Sequence, residues 1–420
     1  PNKKIALIGP WSHAGSASLA AGAMHAVYGE IEGHFDRSLG DQKQFELALK
    51  SKESWSEYFK KFGTDAKTAK DTIIYLRDAK NPFEVTNYQK AVELASTHNV
   101  ARSATKSEIK SYLNLEKCED VSVIIDEFAF CPVTVFSQTK HFLRNSPNVD
   151  FIDDRAISID KNIVTTAKGE EIFSDIFIVC NGAATSRLLG KMNVLPIYQG
   201  VGTAISISSP SFNYGSDFVV RTVNRGGTQC GVHIVPRADG THYIGAGNYL
   251  AEFDERDDHR IETVRYLTEV AESEIIGRKN TYDMRGKLLL GKRARSFDGW
   301  PLFGPLSSNT KIIVASGWNR IGFTLSPLIA KEIVNIIKDD KVNYISGWAP
   351  DRDPISFGSK SECAEFFAAT KCANMIEHKL LESGSESYDK KFNELKKLYR
   401  YFLTIHHDHE MYKDQEPHHT

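Results

Sequence analysis

One stretch, 311–338, constrains what the rest of the chain can be. Ile312, Ile313 and Val314 form a short apolar, β-branched run, the pattern of a strand buried on both faces. A loop punctuated by Gly317 and Gly322 follows. Ser326 then offers a helix N-cap, and Pro327 suits the first helical position, where a missing N–H costs nothing. Leu328, Ile329, Ile333, Val334, Ile336 and Ile337 recur behind them at helical spacing. A strand, a glycine loop and a helix N-terminus present free N–H groups and a positive dipole end to an anion. The same unit also serves as an ordinary connection in a parallel sheet, so other segments must decide between the two.

At 420 residues the chain is too long for one simple core, and two lobes are expected. A net charge of −2 gives no electrostatic ground for a nucleic-acid or anionic-membrane partner. No apolar run is long enough to span a bilayer, and no signal peptide is recognised. Six scattered cysteines without a C-x-x-C pair suit reduced thiols in a cytoplasm. His406 and His409 stand one helical turn apart in a polar tail. With no thiolate or second cluster beside them, they read as a solvated segment, and no metal is expected.

Lys4 to Gly9 reads as a buried first strand entering a glycine turn, which is how a dinucleotide-binding βαβ unit opens. The G-x-G-x-x-G pattern, crossover helix, second strand and acidic residue that should follow are absent. Six residues separate Gly9 from Ser16, whereas a parallel crossover needs a dozen or more. Gly15 to Ala26 is rich in small residues, which suits either close approach to a ligand or an Ala-rich helix packed on a sheet.

Helices are expected over about 40–62, 87–97, 107–114, 258–275, 361–381 and 388–403, and from Pro132 through Leu143. Strands are expected at 73–76, 121–130, 150–160, 162–166, 175–182, 198–208 and 231–246, the last folded at Pro236–Gly240. Residues 291–305, with Asp298-Gly299 and two prolines, read as a loop.

Together these segments resemble the D-amino-acid oxidase/glycine oxidase (DAO) family of FAD-dependent oxidoreductases over roughly 1–345. The first strand with Gly9 and the small-residue segment Ser16–Met24 carry part of the likeness. The strand and turn Asp175–Gly182 and the hairpin His233–Gly240, similar to Y-x-V-P-R-x-D-G, carry more. Gly291–Pro301 with Ser316–Gly322, similar to G-x-R-P-x-T-x-D-G-x-P … G-H-x-R-x-G, completes it.

The resemblance implies an α/β (α+β) fold, with a Rossmann-like FAD-binding domain interleaved with a mixed-sheet substrate domain. FAD-binding residues would be 1–35, 117–190 and 291–345. Substrate-domain residues would be 36–116 and 191–290, and 346–420 would form a helical extension with a mobile tail. The extension suits either a dimer surface, hence a homo-oligomer, or a cover over the active-site mouth.

The family's chemistry is hydride transfer from the carbon bearing an amine to flavin N5, which leaves an imine. By the resemblance, Arg293 clamps the substrate carboxylate, although a salt bridge to Asp298 is an alternative use for it. Arg320 lies near the substrate, His233 replaces a substrate-side tyrosine, and Met24 and His25 lie near the ring. Gly9, Ser16, Ala17, Ser18, Ala21, Gly22, Gly182, Gly317, Gly322, Phe323 and Thr324 line the cofactor. The missing fingerprint leaves two readings. Either the crossover is missing from the sequence as it stands, or the deletion is real and the protein is a non-catalytic binding or scaffold subunit.

Overall fold

The structure is a computed structural model. It describes residues 3–405 apart from 11–15, 34, 115–117, 119, 191, 210–214, 216, 225–230, 252–257, 278–282, 339–346, 354–358, 378–379 and 383.

Its largest element is an eight-stranded mixed sheet. The order across it is Arg285–Ser296, Ile197–Ser208, His242–Ala251, His233–Pro236, Phe218–Thr222, Asp71–Tyr75, Val121–Ile124 and Ala101–Ser103. Neighbours are antiparallel except Phe218–Thr222, which runs parallel to Asp71–Tyr75. Strand alternation gives the sheet two unlike faces. Ile205, Ile207, Val220, Ile234 and Ile244 point into one core, covered by Tyr266, Leu267 and Val270 of helix Ile261–Val270. The opposite face carries Gly200, Gly202 and Gly291 with Arg221, His233 and Arg293.

A second layer stands against that polar face. Strand Asn309–Ser316 lies between Phe177–Val179, parallel to it, and Leu302–Leu306, antiparallel. Helices Leu39–Phe62 and Gly322–Lys338 pack together, sharing a core of Phe45, Leu47, Ala48, Leu325, Leu328 and Ile329. Ser38 caps the first of them.

Strand Ile5–Ile8 pairs in parallel with Val149–Ile152. A strand in a parallel sheet is normally covered on both faces, and Ile312 and Val314 are fully buried. Ile5 and Leu7 are instead 53% and 44% exposed. The uncovered face lies where the chain has no room for a crossover helix between Gly9 and Ser16.

Several sequence expectations need correction. Residues 291–305 are not one loop: Arg285–Ser296 is a twelve-residue strand in full register with Ile197–Ser208, and only 297–301 turn before Leu302–Leu306. The arginines and glycines there resemble loop composition because they face a polar site. The late helix starts at Gly322, one turn before Ser326, so Ser326 is no N-cap and Pro327 lies inside the helix. Pro327 leaves the Phe323 carbonyl without its usual i+4 donor. Trp55 Nε1 and Ser326 Oγ, both at 3.1 Å, donate to that oxygen instead.

Residues 17–20 turn rather than form a helix. The helix expected at 87–97 begins at Pro82, capped by Asn81. The apolar run 121–130 is broken by Asp126, which has a positive φ.

Helices Lys360–Glu377 and Glu386–Ile405 pair through Ala368, Cys372 and Leu395. His406 and His409 lie outside the described residues. Among the described residues no helix is long and apolar enough to cross a membrane.

Candidate active site

Glycines recur where the first two strands of the large sheet pair: Gly200 opposes Arg293, and Gly202 opposes Gly291. A Cβ at Gly202 would lie 3.2 Å from Nη2 of Arg293. Without it the guanidinium can lie across the strands. Arg293 donates from Nε to the Gly200 carbonyl at 3.3 Å and from Nη2 to Asn248 Oδ1 at 2.5 Å. Asp298, foreseen as an alternative partner of Arg293, is held by Arg352 Nη2 at 2.8 Å.

His233 is buried three strands away on the same face, its ring stacked on Tyr243 with centroids 5.5 Å apart. Its Nδ1 lies 3.1 Å from the Gly231 carbonyl, which can only accept, so Nδ1 carries the proton and Nε2 keeps a lone pair. Burial, with Arg221 and Arg293 nearby, pushes its pKa down to about 3, so the ring is neutral. A Cβ at Gly22 would lie 2.9 Å from Nε2, so the small-residue segment presses directly on this ring.

Beside His233, Arg221 emerges from the apolar run Phe218–Thr222 and is almost fully buried. It meets Glu30 Oε1 at 3.0 Å, and Arg320 Nε meets Glu30 Oε2 at 3.1 Å. Arg320 Nη2 also reaches Glu32 at 3.2 Å. Burial works to raise the Glu30 pKa, but the two guanidiniums outweigh it and bring the group down to about 2. Arg320, expected near the substrate, is thus tied into an ion-pair chain.

The segment 16–25 is held against the sheet from several sides. Ala17 and Ala20 lie against Gly291, where a Cβ would come within 3.1 Å of the Ala17 Cα. Arg237 of the hairpin donates to the Ala21 carbonyl. Thr324 Oγ1 donates to the Met24 carbonyl at 3.2 Å, joining the segment to the late helix.

His25 is buried and stacked on Phe128 at 4.7 Å. The Ser51 hydroxyl donates to the Ala48 carbonyl at 2.7 Å, so His25 Nε2–H donates to Ser51 Oγ at 3.0 Å. Its Nδ1 has no partner among the described residues, and burial takes its pKa down to about 4.

The remaining cofactor residues divide between two ends. At one end, the backbone N–H groups of Gly322, Phe323 and Thr324 open the helix with no acceptor among the described residues. A Cβ at Gly322 would meet only Trp318 Cβ, at an ordinary 3.5 Å. Gly317 adopts φ +75°, and Ser316 Oγ before it donates to the Gly182 carbonyl at 2.9 Å, joining two of the predicted glycine turns. This end suits a flat, electron-accepting ring.

At the other end Gly9 donates to Ile152 O at 3.1 Å, and a Cβ there would meet nothing within 4 Å. Among the described residues no helix N-terminus follows it closely to bind a pyrophosphate, and 17–20 form a turn. Among the described residues, the ring end of FAD finds a fitting cradle and the nucleotide end does not.

Arg221, Glu30, Asn248 and Arg352 escaped the sequence reading. Arg221 did leave a signal, as a charge inside the apolar run Phe218-Val219-Val220.

The sequence model described as FAD dependent oxidoreductase (DAO) matches residues 3–336. Glycine oxidase from Geobacillus kaustophilus superposes with a TM-score of 0.69 at 18% identity, over 83% of this chain and 91% of that one. Iminodiacetate oxidase from Chelativorans sp. BNC1 gives 0.66 at 14%, over 83% and 92%. L-proline dehydrogenase from P. horikoshii gives 0.61 at 16%, over 84% and 98%. No curated protein matches the chain by sequence.

Proposed function

The chain belongs to the DAO family of FAD-dependent oxidoreductases, and from that premise we propose that it oxidises the C–N bond of an amino acid or related amine to an imine. Bound FAD supplies the hydride acceptor. Arg293 pairs with the substrate carboxylate and fixes the α-carbon in place. His233 Nε2, kept unprotonated by burial, accepts a hydrogen bond from the amine. Arg221 and Arg320 nearby oppose a second positive charge, which favours the neutral amine that hydride loss requires.

In this reading the N-terminus of helix Gly322–Lys338 stabilises the negative charge that the ring gains on reduction. Ser16, Ala17, Ser18, Ala21, Gly22, Gly182, Gly317, Phe323 and Thr324 line the cofactor, and Met24 and His25 support the ring from behind. The division into two interleaved lobes belongs to the same reading, as does a reducing, cytoplasm-like setting for the free thiols. The names of the similar structures, glycine oxidase, iminodiacetate oxidase and L-proline dehydrogenase, support a carboxylate-bearing amine.

One observation carries the proposal: Arg293 and an uncharged His233 share one face of the sheet, with the small-residue segment lying against His233 and against Gly291, two positions from Arg293. The test is turnover of the flavin-loaded protein with α-amino acids. Formation of the imine hydrolysis products in step with flavin reduction (ammonia and oxo acid from a primary amine, a carbonyl compound and primary amine from a secondary one) supports the proposal, and flavin reduction with no C–N bond oxidised contradicts it. A second reading, a non-catalytic binding subunit, draws on the uncovered strand Ile5–Ile8. A colourless protein that takes up no added FAD favours that reading.

A further inference from the structure

We propose that Arg295 provides a second acid-binding position beside Arg293, so that the substrate is an amine carrying two acidic groups. This rests on Arg293 as the carboxylate anchor. The two residues stand two apart on strand Arg285–Ser296 and so project from the same face, about 7 Å apart along it. That separation is within reach of two carboxylates on one short carbon chain.

Charge carries the argument. Among the described residues around the site, the guanidiniums of Arg221, Arg293, Arg295 and Arg320 lie near the carboxylates Glu30 and Glu32. Two further acids stand nearby and are accounted for. Asp298 is matched by Arg352 at 2.8 Å. Glu127 has its pKa raised by burial, and its Oε1 accepts from the backbone N–H groups of Val27, Tyr28 and Gly29. Glu30 is shared by Arg221 and Arg320, and Glu32 is held by Arg320.

The Arg295 side chain makes no hydrogen bond or ion pair among the described residues, although its backbone pairs with Tyr198 and Trp318. Burial, with Arg320 and Arg293 nearby, pushes its pKa down by more than the Glu32 and Asp298 carboxylates raise it. Space is kept for it as well. Gly299, at φ +88°, stands where a Cβ would come within 3.2 Å of Arg295 Nη2. A second anion on the substrate would relieve this excess positive charge, and a monocarboxylate would leave it standing.

The test uses the flavin-loaded protein and acids that cannot be oxidised there, with perturbation of the flavin absorption as the readout. Glutarate should bind about tenfold or more tightly than butyrate, the gain expected of one charge-assisted pair. Arg295→Met should lose at least that factor for glutarate and less than about threefold for butyrate, while Arg295→Lys recovers part of it. Arg293→Met should weaken both acids.

Equal affinities for the two acids in the unaltered protein overturn the proposal. So does an Arg295→Met protein that loosens FAD itself, because the arginine would then serve the cofactor. If neither acid perturbs the flavin, the Arg293 anchor fails and this proposal falls with it.

Discussion

Arg352 closes on Asp298 with one nitrogen: Nη2 lies 2.9 and 2.8 Å from the two carboxylate oxygens, and both side chains are buried. Ser296 Oγ and the Trp300 N–H donate to the same carboxylate, and Arg352 Nη1 donates to the Pro301 carbonyl at 3.1 Å. The pair thus pins the turn that ends the arginine-bearing strand, and it leaves Arg293 to the sheet face.

Removing one partner strands a buried charge. Arg352→Met should therefore cost about 3–5 kcal/mol of unfolding free energy, measured by denaturant titration of the apoprotein. A loss below about 1 kcal/mol would mean that water reaches Asp298.

The two buried histidines set a pH dependence. An unfolded chain binds a proton on each as the pH falls below about 6.5. The folded chain resists, with His25 held at about 4 and His233 at about 3. Their contribution to stability is therefore complete above pH 6.5 and is lost as the pH falls towards 4. Below 6.5 each adds a slope of about 1.4 kcal/mol per pH unit. His25→Phe should flatten the curve by one such step, since Ser51 keeps its bond to Ala48. An unchanged slope in that variant would show that His25 protonates freely in the fold.

Gly322→Val separates cofactor binding from folding. The protein has room for the first carbon of the side chain, which would meet only Trp318 Cβ at 3.5 Å. Apoprotein stability should fall by no more than about 1 kcal/mol, while flavin affinity falls about tenfold or more. Equal loss of both would remove Gly322 from the cofactor site.

The ends of the cofactor site should differ in grip. With a fitting ring end and, among the described residues, no helix N-terminus after Gly9, FMN should bind within about threefold of FAD. Fluorescence quenching of each flavin by apoprotein measures this. FAD binding about a hundredfold more tightly would require a nucleotide grip elsewhere in the chain.

Much of this was legible in the residues themselves. Ile312–Val314 announced a buried strand, and helix Leu39–Phe62 followed its apolar spacing. Strand Arg285–Ser296 was hidden because Gly291, Arg293 and Arg295 line the polar face of the sheet, and their composition imitates a loop. The helix start moved to Gly322 because Trp55, over 250 positions earlier, serves the carbonyl that Pro327 leaves open. Local spacing carries no trace of such a partner. The ion pairs of Glu30 were equally hidden, since they join loop, strand and late-chain arginines that only the fold brings together.

The most direct measurement is anaerobic addition of α-amino acids to the protein loaded with FAD, followed by the visible spectrum. The account predicts that the yellow oxidised flavin bleaches with saturable dependence on the amino acid. It further predicts that Arg293→Met shifts half-saturation upward by about a hundredfold, as expected for loss of a bidentate charge pair. A spectrum that stays yellow with every carboxylate-bearing amine, or an Arg293→Met protein bleached as readily as the unaltered one, would contradict it.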